Sequence, residues 1–406
     1  MTTRFAWRYF RSKKSTNAIN IIAWISMLAI GVVTAALVVV LSVFNGFEEL
    51  VKSLYGDFYS DLKVTPVTGK WLTANDSLLR KIQLVKGIKN AEVVLEERAI
   101  LVDQEDKSIV WLKGISPSYA NNSGVPSHLI RGNFEIGTRE QPGIIMGAGV
   151  ENALQVTAGR EVFPITVYLP NRLSQTPADP LDALHAANAV PTGSFVIQQD
   201  FDNQYAFTNR PFMSYMLDLE PSHASAIEVY TDSAANISTI KQALSRQLGN
   251  RFVVKTRYEQ NQNLYAAMMA EKLIIYAVAF LILVIAAFNI ISSLTMTVLE
   301  KQEDIAVLQA MGTSGQRVSS IFLKLGAILA GIGGLGGGVL GLLICLGQQH
   351  FHWVKLGGQS FIIDYYPVSI RLFDFLAVGL IIFLIAFFSG WLPSRRASRT
   401  EYSLKS

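Results

Sequence analysis

Four stretches of this chain run uncharged for the length of a membrane-spanning helix: Ile21–Phe44, Leu273–Leu299, Leu325–Gly347 and Phe375–Leu392. The hydrocarbon core of a bilayer takes roughly 20 apolar residues in a helix, within about 17–25. All four runs reach that length, the last narrowly. The expected fold class is therefore an integral membrane α-helical protein with four transmembrane helices, at 21–44, 273–299, 325–347 and 372–392. Half of the 406 residues are hydrophobic, which suits a membrane chain once they cluster in this way. The first run follows basic residues, as the core of a signal peptide would. Its uncharged stretch, Ser15–Phe47, exceeds the roughly 7–15 residues of such a core, and no small-residue cleavage site follows. It reads as a retained anchor.

Arg4, Arg8, Arg11, Lys13 and Lys14 precede the first span, and Arg395, Arg396, Arg399 and Lys405 follow the last. The positive-inside bias places both ends, 1–20 and 393–406, in the cytoplasm. Residues 45–272 and 348–371 then lie outside and 300–324 inside. The net charge of +4 comes mainly from these tails, so it reports topology and not nucleic-acid binding. In residues 4–11 the three arginines share one helical stripe and aromatics cover the rest. This suits either a helix lying on lipid headgroups or a basic tail without fixed structure.

The outer region, about 225 residues, is long enough for a domain with its own core. SDLKVTPV alternates like a strand, TANDSLLRKIQLVKGI reads as a capped amphipathic helix, and AEVVLEERAILVD and SIVWLKGI read as strands. AIEVYTD, SAANISTIKQALSRQLG and RFVVKTR repeat the order strand, helix, strand. These two units, 60–115 and 214–256, flank an insert at 116–213. Within the insert, GIIMGAGVENALQVTAGREV suggests a helix-bearing hairpin. The segment from Pro170 to Pro191, with Asn171, Arg172, Leu173, Pro177 and Pro180, reads as a long irregular loop, either a binding protrusion or a variable loop. GFEELVKSLYGDF and RYEQNQNLYAAMMAEKL look like helical extensions of the first two spans.

Chemistry is sparse. The single cysteine, Cys345, lies in an apolar run, the histidines are scattered, and no phosphate loop, HExxH or GxSxG occurs. No metal or directly bound cofactor is expected, and no catalytic residue. Glu48/Glu49 and Glu96/Glu97 read as solvated faces. The spans hold almost no ionisable groups, Asp374 standing at the edge of the fourth, so an ion-coupled carrier is not expected. The third span carries Gly333, Gly334, Gly337, Gly338 and Gly341 at small-xxx-small spacing, which lets helix backbones approach closely in lipid. Between the second and third spans sits EKQEDIAVLQAMG, a short acid-led helix ended by glycine.

The last segment resembles the coupling segment of FtsX-like ABC transporter permeases, in Glu300, Lys301, Asp304, Ile305, Ala306, Leu308 and Gly312. The run LSVFNGFE (Leu41–Glu48), GIIMGAGVENALQVTAGREV and LPSRRAS (Leu392–Ser398) are similar to lipoprotein-releasing (LolC/LolE-type) permeases, and the likeness covers the chain end to end. The resemblance implies a type VII, mechanotransmission architecture with a large α+β periplasmic domain of porter-like and sabre-like parts, in a Gram-negative-type inner membrane. It further implies a separate LolD-like ATPase that uses ATP-Mg, and a second permease subunit, either identical or a paralogue. Lipoproteins would be drawn from the membrane lipid and handed to a LolA-like carrier. In the family a hook loop docks that carrier; by position its counterpart here is 170–191, although VPTGSF lacks the arginine motif expected after the loop. On this reading Glu300–Gly312 docks in a groove of the ATPase, with Ile305, Ala306, Leu308 and Met311 seating it and Glu303 and Asp304 at its amino terminus.

Three other functions fit parts of the chain. A MacB-like exporter of peptides or small molecules would be expected to carry its ATPase fused ahead of the first span. An FtsX-like regulator of periplasmic hydrolases would have a much smaller outer domain. A membrane-anchored binding protein would leave the coupling segment unexplained.

Overall fold

The computed structural model describes residues 17–160, 163–170, 184–232, 235–356 and 363–399, without the side chains of 17–20, 22, 23, 283, 385, 386 and 388–399. The arginine stripe at 4–11, the loop residues Asn171, Arg172, Leu173, Pro177 and Pro180, and Lys405 lie outside these residues.

The described chain opens with α1 (Asn17–Phe58), then β1 (Leu62–Pro66), β2 (Leu72–Thr73), α2 (Asp76–Gln83), β3 (Ile88–Asp103) and β4 (Asp106–Ile115). Next come β5 (Leu129–Gly132), β6 (Gly143–Gly147), α3 (Ala148–Ala153), β7 (Ile165–Pro170), β8 (Leu184–Phe195), α4 (Gln199–Asp202), β9 (Tyr205–Asn209) and α5 (Arg210–Met216). They are followed by β10 (His223–Ala224), β11 (Ala226–Thr231), α6 (Ile237–Leu248), β12 (Phe252–Thr256) and α7 (Arg257–Gln260). The last elements are α8 (Gln262–Glu300), α9 (Gln302–Ala310), α10 (Gly315–Phe351) and α11 (Leu372–Arg399). The chain divides into two units. A membrane unit holds α1 to Leu50, α8 from Ala267, α9, α10 and α11; an outer unit holds Val51–Ala266 with Gly357–Asp364.

In the membrane unit, α1, α8 and α10 are long and apolar enough to cross a bilayer, by length and composition among the described residues. The helix α11 runs for 28 residues. A glycine in a water-exposed helix costs about 1 kcal/mol relative to alanine, yet α10 stays helical across Gly331–Gly341. In lipid no water competes for its backbone groups, and the missing side chains let another helix approach. Gly333, Gly337 and Gly341 all face α1. A Cβ on Gly333 would lie 2.6 Å from the Met27 carbonyl oxygen, one on Gly341 would lie 2.9 Å from Val38 Cβ, and one on Gly337 would collide with the Gly31 carbonyl. Gly334 instead packs on Ile382 of α11, and Gly338 has open space where its side chain would be. The five glycines thus serve different neighbours, and Gly338 serves none among the described residues.

In the outer unit, β12, β1, β11 and the first half of β3 lie side by side, all antiparallel. With α2 between β1 and β3, and α6 between β11 and β12, the two strand–helix–strand units combine into one ferredoxin-like sheet. Each helix has a local reason to start where it does. Asn75 accepts a hydrogen bond from Leu78 N at 2.9 Å, and Asn236 accepts one from Ser238 N at 3.0 Å. Leu78 and Ile82 of α2, and Ile240 and Leu244 of α6, pack on Leu62, Val64, Ile227 and Val229 of the sheet.

The insert does not fold apart from that sheet. The second half of β3 pairs with β4, β4 with β9, β9 with β6, β6 with β8, β8 with β7, and β7 again with β3. Six strands close a ring, around a core that mixes Leu101 and Leu112 with Ile144, Val167 and Ala206. Divisions at 115/116 and 213/214 therefore cut through a shared barrel, and the second falls inside α5. The expected loop is also shorter than 170–191. Pro170 ends β7 opposite Leu184, and Pro191 pairs with Ile144 inside β8, beside an irregularity in register. Alanines had hidden the alternation of β8, and a proline at such an irregularity gives up no regular ladder bond.

Candidate functional site

The segment Glu300–Gly312 is built by two interruptions of helix. Lys301, at φ −93° and ψ 15°, ends α8 and caps α9, and its side chain pairs with Asp304 at 3.3 Å. At the other end Thr313 N donates to Leu308 O at 3.0 Å and Gly312 N to Gln309 O at 2.9 Å. Gly312 sits at φ +85°, so the segment closes with a Schellman stop that only glycine adopts easily. Glu303 and Asp304 lie in the first turn and are exposed, where negative charge complements the helix dipole.

The apolar side chains divide differently from the sequence expectation. Ile305 is only 4% exposed and packs with Ile290, Leu294 and Val298 of α8 and Val318, Ile321 and Phe322 of α10. It fastens α9 to its own chain and is not free to seat a partner. Ala306 and Leu308 are partly buried. Val307 is 60% exposed and Met311 78%. With Glu303 they form a stripe at i, i+4, i+8, so the outward face of α9 is Glu303–Val307–Met311. Val307 could have been found from its spacing to Met311.

A second constellation explains the LSVFNGFE run. Ser42 O accepts from Ser369 N at 2.9 Å, and a Cβ on Gly46 would collide with the backbone of Pro367. Asn45 Nδ2 donates to the Asp374 carboxylate of α11, which also accepts from Tyr276 of α8 at 3.3 Å. Phe47 meets the Tyr366 ring edge-on at 5.7 Å. Glu48 holds Lys272 at 3.3 Å and Arg371 at 3.2 Å, while Glu49 holds Arg371 at 3.1 Å. The run therefore ties α1 to α8 and α11 by polar bonds. Glu48 is withdrawn from solvent, whereas Glu49 stays exposed, as expected, while holding Arg371.

The outer unit carries a third polar group, beneath the end of α1. Lys113 of β4 and Glu228 of β11 pair at 2.7 Å while only 3% and 1% exposed. Burial alone would pull the Lys113 ammonium down, but Glu228, Tyr119 and Glu96 outweigh it and hold its pKa above the ordinary lysine value. Burial likewise tends to raise Glu96, and Lys63 and Lys113 bring it below the usual carboxylate range. Lys63 lies 2.8 Å from Glu96 and Lys70 pairs with Glu97, so this acidic pair is engaged as well. Above them Phe58 stacks on Phe201 at 4.1 Å, and Tyr55 and Tyr59 meet the same ring. The end of α1 is seated by aromatic contact over a buried charge ladder. Among the described residues no three His, Cys, Asp or Glu side chains gather as a metal site would require, and Cys345 is buried and free.

Comparison with known proteins gives this geometry a context. The MacB-like periplasmic core domain matches residues 23–247, and the FtsX-like permease C-terminal domain matches 276–402. The lipoprotein-releasing system transmembrane protein LolC of Neisseria meningitidis is 30% identical, over 98% of this chain and 97% of its own length. The chain belongs to this family of lipoprotein-releasing system transmembrane proteins. A LolE protein of Haemophilus influenzae is 22% identical over 99% of this chain and 98% of its own. Among solved structures, the periplasmic region of MacB from Actinobacillus actinomycetemcomitans aligns with 53% of this chain and 98% of its own, at a TM-score of 0.35 and 11% identity. The chain is thus a membrane permease with a MacB-like periplasmic domain, and α9 falls inside its FtsX-like part.

Proposed function

We propose that this chain is the permease subunit of an ABC transporter that draws outer-membrane-directed lipoproteins out of the inner membrane and passes them to a periplasmic, LolA-like carrier. The observation that carries this reading is the 30% identity to a LolC protein across 98% of the chain. The chain is not itself an enzyme. A separate LolD-like ATPase binds and hydrolyses ATP-Mg in the cytoplasm, and the permease receives its motion through α9. Four helices span the inner membrane with both termini in the cytoplasm, in the type VII arrangement. A second permease, another copy or a paralogue, completes the complex; similarity to both LolC and LolE proteins accommodates either.

The face that meets the ATPase is the exposed stripe Glu303, Val307 and Met311, with Asp304 beside it. Ile305, packed between α8 and α10, couples the displacement of α9 to both helices. The reversal Glu303→Lys with Asp304→Lys should reduce crosslinking to the ATPase by on the order of tenfold and slow lipoprotein release with it. Undiminished crosslinking and release would remove α9 from the mechanism. Depletion of the protein should leave outer-membrane lipoproteins in the inner membrane. Normal sorting on depletion would instead favour a MacB-like exporter of peptides or small molecules.

A further inference from the structure

A pocket of about 450 Å³ opens in the outer unit, lined by Arg139 from the loop after β5 and by Arg210, Tyr215, Asp218, Leu219 and Pro221 from α5 and the turn that follows it. Two arginines line it from distant parts of the sequence. Arg139 stacks on Tyr215, its guanidinium carbon 4.6 Å from the ring centroid, which fixes the direction of its planar fork. Arg210 is partly buried, and that burial lowers its pKa against a weaker opposing pull from Glu92. Other partly buried arginines of this chain hold carboxylates: Arg257 pairs with Asp61 at 2.8 Å, and Arg371 with Glu48 and Glu49. Neither Arg139 nor Arg210 has a carboxylate within ion-pair distance among the described residues. Glu92 pulls on Arg210 without forming an ion pair with it, so a carboxylate entering the pocket would supply the closer counter-charge this half-buried cation lacks.

The remaining lining narrows what that something is. Asp218 stands at the rim, 3.5 Å from His185, and adds one negative charge to the pocket. That charge opposes a dianionic phosphate more than a single carboxylate. Leu219 and Pro221 give the pocket an apolar wall, and Tyr215 is largely exposed. Arginine and tyrosine around an apolar wall make the composition of a protein-binding hot spot.

We propose that this pocket receives one aspartate or glutamate side chain of a protein partner, held between the forks of Arg139 and Arg210, with an apolar neighbour of that residue against Leu219 and Pro221. Planar, two-pronged recognition of a carboxylate is what guanidinium forks do best. The site is separate from α9, so its failure would leave the transport reading untouched.

The test uses the full-length protein in detergent micelles. Phenylglyoxal modifies accessible arginines, and peptide mass spectrometry follows each one. The probe is the capped peptide acetyl-Ala-Leu-Glu-Leu-Ala-amide, run beside its glutamine counterpart and inorganic phosphate. The glutamate peptide, at roughly 10 mM, should slow modification of Arg139 and Arg210 by about threefold or more, as a charge-assisted contact would. Arg98, which stacks on Trp111, should react as before. In Arg139→Ala the protection of Arg210 disappears with thermal unfolding unchanged, whereas Arg210→Lys, keeping the charge without the fork, still protects Arg139 but less. Equal protection by the glutamine peptide, stronger protection by phosphate, or no protection by the glutamate peptide would each overturn the proposal.

Discussion

In the membrane unit, α10 meets α1 through Gly333, Gly337 and Gly341, where backbone touches backbone and nothing is charged. In the outer unit, the most buried ion pair among the described residues is the reverse: Lys113 and Glu228 meet across β3 with almost no exposure. Lipid offers no hydrophobic drive to push helices together, so close approach of small residues must supply the contact. The outer unit has water outside it and can exclude that water from a core, inside which a charge pair survives only if both members stay. One unit is specified by missing side chains, the other partly by partnered ones.

The largest effect should come from Lys113→Met, which leaves Glu228 buried and unpaired. A loss of about 3–5 kcal/mol is expected, read as a lowered denaturation midpoint of the purified protein. The double change Lys113→Met with Glu228→Leu should recover most of it. If the single and double variants unfold alike, the pair is not what specifies this sheet.

A second test concerns Asp202, another buried acid of the same unit. Burial raises Asp202 to about 6, against backbone N–H groups of Ile197 and Gln198 that act to lower it. Unfolded, it titrates near the ordinary value of about 3.9. Between those values the folded chain binds more protons than the unfolded one, so stability falls as pH rises. Asp202→Asn should therefore stabilise the protein by about 2–3 kcal/mol above pH 6, with the gain fading below about pH 4. Thermal melts across that range would show the crossover, and a gain independent of pH would deny the buried charge.

The smallest and most local effect belongs to the glycines. Gly337→Ala forces α10 away from Gly31 and should cost about 1–3 kcal/mol, as overpacking does. Gly338→Ala, one residue on, meets open space and should be neutral or slightly stabilising through helix propensity. Equal behaviour of the two in detergent melts would remove the distinction between the α1-facing stripe and its neighbour.

Local pattern made much of this visible beforehand. Alternation in LKVTP and AIEVYT and capping at Asn75 and Asn236 mark strands and helices without any partner in view. What stayed hidden depends on residues far apart in the chain. LSVFNGFE stands out as a motif, yet its use rests on Lys272, Tyr276, Arg371 and Asp374, and no local rule connects them. The same holds for Glu96 and Glu97, which look solvated until Lys63 and Lys70 arrive. Ile305 carries no mark of its direction in a segment where Ile305 to Leu308 are all apolar, and only the packing of α8 against α10 turns it inward.

β3 is 16 residues long, its first half in the ferredoxin-like sheet and its second half in the closed ring. The strands that complete both, β7 for the ring and β11 for the sheet, emerge from the ribosome well after it. Until then the β3–β4 hairpin presents open edges on the far side of the membrane, which is the state in which strands mispair. Completion of both the sheet and the ring therefore waits for later chain.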